Sequence, residues 1–191
     1  MHATYTLRKI SHTALAATIF TLLTVLLLST TALAHGPTRQ KVTESIEISA
    51  SAETVWEVIS NFGDATWLPM VEASSADQAN EAGSIRTLTL AGGAKVIETL
   101  KTYKDDKMMY KYRISDATHD VNVLPVNNYS ATLSVEANGD TSIVTWKGAF
   151  YRGYPNNDPP EELNDEAAVK AVTELYKAGL TGLKKLVEGT S

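Results

Sequence analysis

Residues 164–188 carry one long amphipathic pattern, and the rest of the chain must be arranged around it. Ala168, Val172, Leu175, Tyr176, Gly179, Leu180, Leu183 and Leu186 recur three and four positions apart. That spacing lines one face of a helix. Upstream the period changes to two. In residues 42–49, Val42, Glu44, Ile46 and Ile48 share one face, while Thr43, Ser45, Glu47 and Ser49 share the other. This is strand alternation. Residues 84–90, 94–101, 107–115 and 141–151 also read as strands, and 122–136 as a strand bent or bulged at Pro125. Ala91-Gly92-Gly93 joins 84–90 to 94–101 as a hairpin. Turns are expected at Asp105-Asp106 and at Asn138-Gly139-Asp140.

Between the first strand and this run, two short helices are expected. Ser51 is placed to cap the first, and residues 61–67 form the second, ended by Leu68-Pro69. Asp158 is expected to cap a helix whose first residue is Pro159. An antiparallel sheet must bury one face, and only the long helix is large enough to cover it. The expected fold is therefore α+β: a curved antiparallel sheet of about seven strands wrapped around a long C-terminal helix, with space possible between them.

The N-terminus reads differently. Arg8 and Lys9 precede an apolar run at 14–28, and Ala32 and Ala34 supply a small-x-small cleavage pattern. The run is short for a membrane span and is interrupted by threonines. Residues 1–34 are expected to be a signal peptide cleaved near Ala34, residues 35–41 a flexible leader, and residues 42–191 a single domain. The mature protein is then expected in the periplasm, with no later segment to hold it in a membrane. Removing residues 1–34 takes the formal net charge from −5 to −7. Nucleic-acid binding, which needs clustered cations, is not expected of so acidic a chain.

There is no cysteine, which excludes thiol catalysis, thiolate metal sites and disulfides. Only His35 and His119 follow the signal segment, and His119 is expected in an exposed loop. Helix capping accounts for Asp158, Glu161 and Glu162, so neither a metal site nor a cofactor is expected. No nucleophile–histidine–acid set is present, which argues against an enzyme.

Strand parity names an interior set: Tyr110, Tyr112, Tyr129, Trp146 and Phe150 among the aromatics. In the first hairpin the same parity puts Arg86 with Leu88 and Leu90, and Glu98 with Val96 and Leu100. Pairing Leu90 with Ala94 sets Arg86 directly opposite Glu98. Two charges on an interior face are costly unless paired. They are either an internal ion pair that holds the hairpin register or the polar floor of a ligand cavity. The aromatics likewise fit a solid core or a pocket whose hydroxyls meet a ligand.

The element order and IleGluIleSerAlaSerAlaGluThrValTrpGluValIleSerAsnPheGly (46–63) resemble the START-like, or SRPBCC, helix-grip superfamily. GlySerIleArgThrLeuThrLeu (83–90), the Glu98-Thr99-Leu100 step and Asn128-Tyr129 continue the resemblance. It implies a small apolar or aromatic ligand between sheet and helix, with Glu98 and Tyr129 in the cavity wall, or, as the weakest of its readings, an enzyme of cyclase or dehydratase type. LeuProValAsnAsnTyrSer (124–130), TrpLysGlyAlaPheTyrArgGlyTyrProAsnAsnAspProPro (146–160) and GluLeuAsnAspGluAlaAla (162–168) look like the MxaD-type accessory proteins of bacterial methanol oxidation. That narrower resemblance implies a non-enzymatic periplasmic protein that promotes electron transfer from methanol dehydrogenase to its cytochrome c. It gives Tyr151, Tyr154, Pro155, Asn156 and Asn157 a role as partner contacts, against a plain rigid connection into the last helix.

Overall fold

Period-two alternation becomes the strands of one antiparallel sheet, and the three-and-four pattern becomes the helix laid across it. The computed structural model describes residues 36–189; the expected signal peptide and His35 lie outside the described residues. The order is β1 (Gln40–Ile48), α1 (Ala52–Ile59), β2 (Val71–Ala76), β3 (Ile85–Leu90), β4 (Lys95–Lys104), β5 (Met109–Ile114), β6 (Val126–Asn138), β7 (Thr141–Arg152) and α2 (Asp165–Glu188). The seven strands run β1-β7-β6-β5-β4-β3-β2 across the sheet. Strands β2 to β7 are a meander, and β1 closes on β7. This is the expected helix-grip arrangement. Among the described residues, no helix is long and apolar enough to cross a membrane.

Several expectations are corrected by local physics. The leader is partly strand: Gln40 and Lys41 pair with Phe150 and Ala149, because β7 extends far enough to receive them. Arg39 continues the contact, donating to the Ala149 carbonyl at 3.2 Å. The second short helix is absent. The Asn61 and Asp64 side chains accept from the Gly63 and Thr66 amides at 3.0 and 2.9 Å, closing turns that compete with a helix. Strand β2 is an addition. Its small polar residues show weak alternation, and only Val71 is buried.

Pro125 does not bend a strand; it precedes one, and the irregularity falls just beyond it. Phe150 of β7 faces two residues of β6, Asn128 and Tyr129, in a bulge where Asn128 has φ 49°. Helix α1 is capped as expected, Ser51 accepting from the Thr54 amide at 3.2 Å. Helix α2 begins where its pattern does, with Asn164 as its cap accepting from the Ala167 amide at 2.8 Å. No helix starts at Pro159 under an Asp158 cap; the chain makes only a short turn at Glu161–Leu163 before α2.

Helix α2 packs mainly on β1 and β7. It comes close because three facing positions lack a side chain. A Cβ on Gly179 would sit 2.8 Å from Leu68 and Trp146, and one on Gly182 2.5 Å from Pro69. Opposite them, Gly148 leaves room for Tyr176 to cross β7, stack on Trp146 with ring centroids 4.3 Å apart, and share a 2.6 Å hydrogen bond with the Tyr129 hydroxyl. A Cβ at Gly148 would overlap the Tyr176 hydroxyl. Gly148→Ala is therefore expected to cost about 1–3 kcal/mol in denaturant unfolding. Adding Tyr176→Phe, which removes the overlapping atom, should make the pair less costly than the sum of the two changes.

Candidate ligand-binding site

The β3–β4 hairpin turns through Gly92 and Gly93, both at positive φ, with the Leu90 amide donating to Ala94 at 2.8 Å. This register sets Arg86 opposite Glu98, as the sequence implies. Arg86 Nε and Nη2 both donate to Glu98 Oε2, at 2.8 and 2.5 Å, and Nη1 donates to the Phe62 carbonyl at 2.8 Å. The guanidinium lies 4.2 Å from the Phe62 ring centroid. Arg86 is 2% exposed and Glu98 4%. Burial is the largest single effect and works against the Arg86 charge, but the Glu98 carboxylate together with Tyr110 and Tyr112 outweighs it and holds the Arg86 pKa above its ordinary value.

The pair is also the floor of a cavity, so its two sequence-based readings describe one arrangement. Because α2 sits over β1 and β7, the inner faces of β3, β4 and β5 are left partly uncovered. A cavity of about 420 Å³ fills that space. Arg86, Glu98, Tyr110, Tyr112, Tyr129 and Trp146 all line it. Phe150 does not; this expectation is corrected. It is fully buried beside the β6 bulge and stacks on Tyr129, with centroids 6.2 Å apart, so Tyr129 presents to the cavity and Phe150 packs with it in the core.

The hydroxyls are fixed in their protonated form. Desolvation pushes the pKa of Tyr110, Tyr112, Tyr129 and Tyr176 above the ordinary tyrosine value. Trp146 Nε1 donates to the Tyr112 hydroxyl at 3.0 Å. Apart from Glu174 the remaining lining is apolar, and much of it was not singled out from the sequence. Trp67, Leu68 and Met70 come from the segment after α1, and Ala171, Leu175 and Ala178 from α2. The helix residues had a readable signal: they recur at four and three positions as a second stripe beside the core one. The segment 67–70 had none, because its place depends on the Arg86 bond to Phe62 and on Gly179 and Gly182.

The second group of sequence candidates lies elsewhere. Tyr151 is on the outer face of β7, its ring under Arg39 at 5.3 Å. Tyr154 is half-buried, and Pro155, Asn156 and Asn157 are exposed. None of them lines the cavity. The residue that shapes their loop is Arg152, which the sequence did not reveal. Buried beneath it, Arg152 donates to the carbonyls of Tyr154 and Asn156 at 2.9 and 2.8 Å and pairs with Asp165 at 3.2 Å. His119 is half-buried, not exposed, with a ring nitrogen 2.8 Å from the Leu124 carbonyl.

The family described as polyketide cyclase / dehydrase and lipid transport matches residues 39–188, and the chain belongs to it. No curated protein sequence matches the chain. Among solved structures, it resembles an uncharacterized protein from Bacillus thuringiensis at 30% identity and TM-score 0.65, covering 78% of this chain and 99% of that one. The protein XoxI from Bacillus cereus is similar at 30% identity and TM-score 0.64, covering 78% of this chain and 95% of that one. Norcoclaurine synthase from Thalictrum flavum shares the fold, at 20% identity and TM-score 0.59 over 82% of this chain and 98% of that one.

Breaking the buried pair from one side leaves a charge without its partner. Arg86→Met alone is expected to cost about 3–5 kcal/mol, whereas Arg86→Met with Glu98→Leu should recover most of the loss. Urea unfolding of the wild type, both single variants and the double variant measures the coupling.

Proposed function

We propose that the protein is a non-catalytic binder that holds a small, largely apolar or aromatic ligand between the sheet and α2. The cavity carries this reading. Its volume of about 420 Å³ lies within the ~300–1,000 Å³ typical of small-molecule sites, and a few polar groups converge in apolar walls. The non-catalytic reading is supported by the state of those groups. Glu98 is held by Arg86 through one oxygen, and the lining tyrosines Tyr110, Tyr112 and Tyr129 have their pKa raised by burial. Tyrosines so far from titrating near neutral pH are poor proton-transfer catalysts. With the export pattern of residues 1–34, the binder is a periplasmic carrier.

A second reading assigns an accessory role in methanol oxidation, promoting electron transfer from methanol dehydrogenase to its cytochrome c. It rests on the resemblance of residues 146–160 to MxaD-type proteins, and one feature of the loop favours it. Pro155, Asn156 and Asn157 face solvent on a backbone already fixed by Arg152, which lowers the ordering cost of docking.

The neutral fluorescent dye N-phenyl-1-naphthylamine tests the first reading. It should bind one to one, and Ala171→Trp, which fills the cavity from the helix side, should weaken binding by roughly tenfold or more. Equal binding by the variant would remove the cavity from the function. For the second reading, Tyr154→Ala should weaken association with methanol dehydrogenase or its cytochrome c by roughly tenfold. Unchanged association takes the loop out of any such interface.

A further inference from the structure

The polar floor of the cavity is unsymmetrical. Both Arg86–Glu98 hydrogen bonds end on Oε2, and the third Arg86 bond goes to the Phe62 carbonyl. Glu98 Oε1 has no hydrogen bond among the described residues. It is not sealed off by neighbouring atoms either, unlike the Trp67 indole nitrogen, which is buried without a partner. Glu98 is 4% exposed and lines the cavity, so the one place this oxygen can meet a partner is the cavity itself. A carboxylate oxygen only accepts, so its complement is a donor.

Charge narrows the complement further. The Arg86–Glu98 pair is neutral as a unit, and the walls are apolar. A ligand anion would bring its charge against Oε1. A ligand cation would lose its hydration and meet the Arg86 guanidinium beside the carboxylate that attracts it. A neutral donor has neither cost. We infer that the ligand is a neutral, mainly aromatic or apolar molecule that presents one hydroxyl or amide N–H to Glu98 Oε1. This rests on the cavity-binding reading and specifies its chemistry. Arg86 is then a positioning residue, which aims the free oxygen by holding the other one.

Three compounds that share a ring system but differ at one group test it: 2-naphthol, 2-methoxynaphthalene and 2-naphthoate, each titrated calorimetrically into the full-length protein. A hydrogen bond to a buried carboxylate predicts that 2-naphthol binds roughly tenfold or more tighter than its methyl ether, with 2-naphthoate weakest. Glu98→Gln should bring the naphthol and ether affinities together. Equal binding of 2-naphthol and the ether to the wild type, or a preference for 2-naphthoate, overturns the inference and leaves the cavity reading standing. Binding of none of the three overturns the cavity reading itself. If Glu98→Gln does not fold, the wild-type series alone decides.

Discussion

The buried fork of Arg86 is the interaction on which the site depends. It makes two bonds within the β3–β4 hairpin and a third to the Phe62 carbonyl, beyond the end of α1. Desolvating such a pair costs about as much as its attraction returns, so it is a weak source of net stability. What it adds is position. The Phe62 bond ties the segment after α1 to the sheet. That segment carries Trp67, Leu68 and Met70 into the cavity wall. Helix α2 clamps it from the other side, where Gly179 and Gly182 admit Leu68 and Pro69. A purely apolar replacement could fill the same volume, but it would not direct a backbone carbonyl to one place.

Protein interiors normally close to the density of organic crystals. The space beside Arg86 and Glu98 stays open because rigid rings frame it. Trp146 stacks on Tyr176 at 10° between planes, Tyr129 packs against Phe150, and Phe62 meets Tyr110 edge-on. Each ring is held by a second contact, such as the Trp146 bond to Tyr112 or the Tyr129 bond to Tyr176. Flexible side chains in these positions would collapse inward. Of the aromatic positions that read from the sequence as either core or pocket, Tyr110, Tyr112, Tyr129 and Trp146 are both, and Phe150 is core alone.

Strand parity carried most of what was legible in the sequence. It identified the interior face of each long strand, and a three-residue hairpin loop was enough to fix Arg86 against Glu98. Those inferences use only local geometry. The failures have identifiable causes. Residues 61–67 are not helical because Asn61 and Asp64 accept from the amides two residues on. Strand β2 has too little apolar contrast to show a period. Phe150 has the right parity for the cavity, but the β6 bulge puts Tyr129 on the cavity side of it. Arg152 looks like any charged strand end until the chain returns to place Asp165 beside it. For Phe150 a single backbone irregularity, and for Arg152 a contact distant in sequence, decided what the local pattern left open.

The helix that covers the cavity is tied at both ends, packs its core stripe through Val172, Tyr176 and Leu180, and carries small residues on the stripe beside it. Near its start, Asp165 pairs with Arg152. Near its end, Lys184 donates to the Glu47 carbonyl at 2.6 Å, and Glu188 accepts from the Ser49 amide at 2.8 Å. Between these ties, Ala171 and Ala178 offer little side chain to the sheet below. Larger residues there would improve helix–sheet packing and remove the cavity. Stability and an open interior thus make opposite demands on the same turns of α2. The end ties meet the first demand without touching the second, since they hold the helix through polar contacts at its termini. The interior is left to be completed by what enters it.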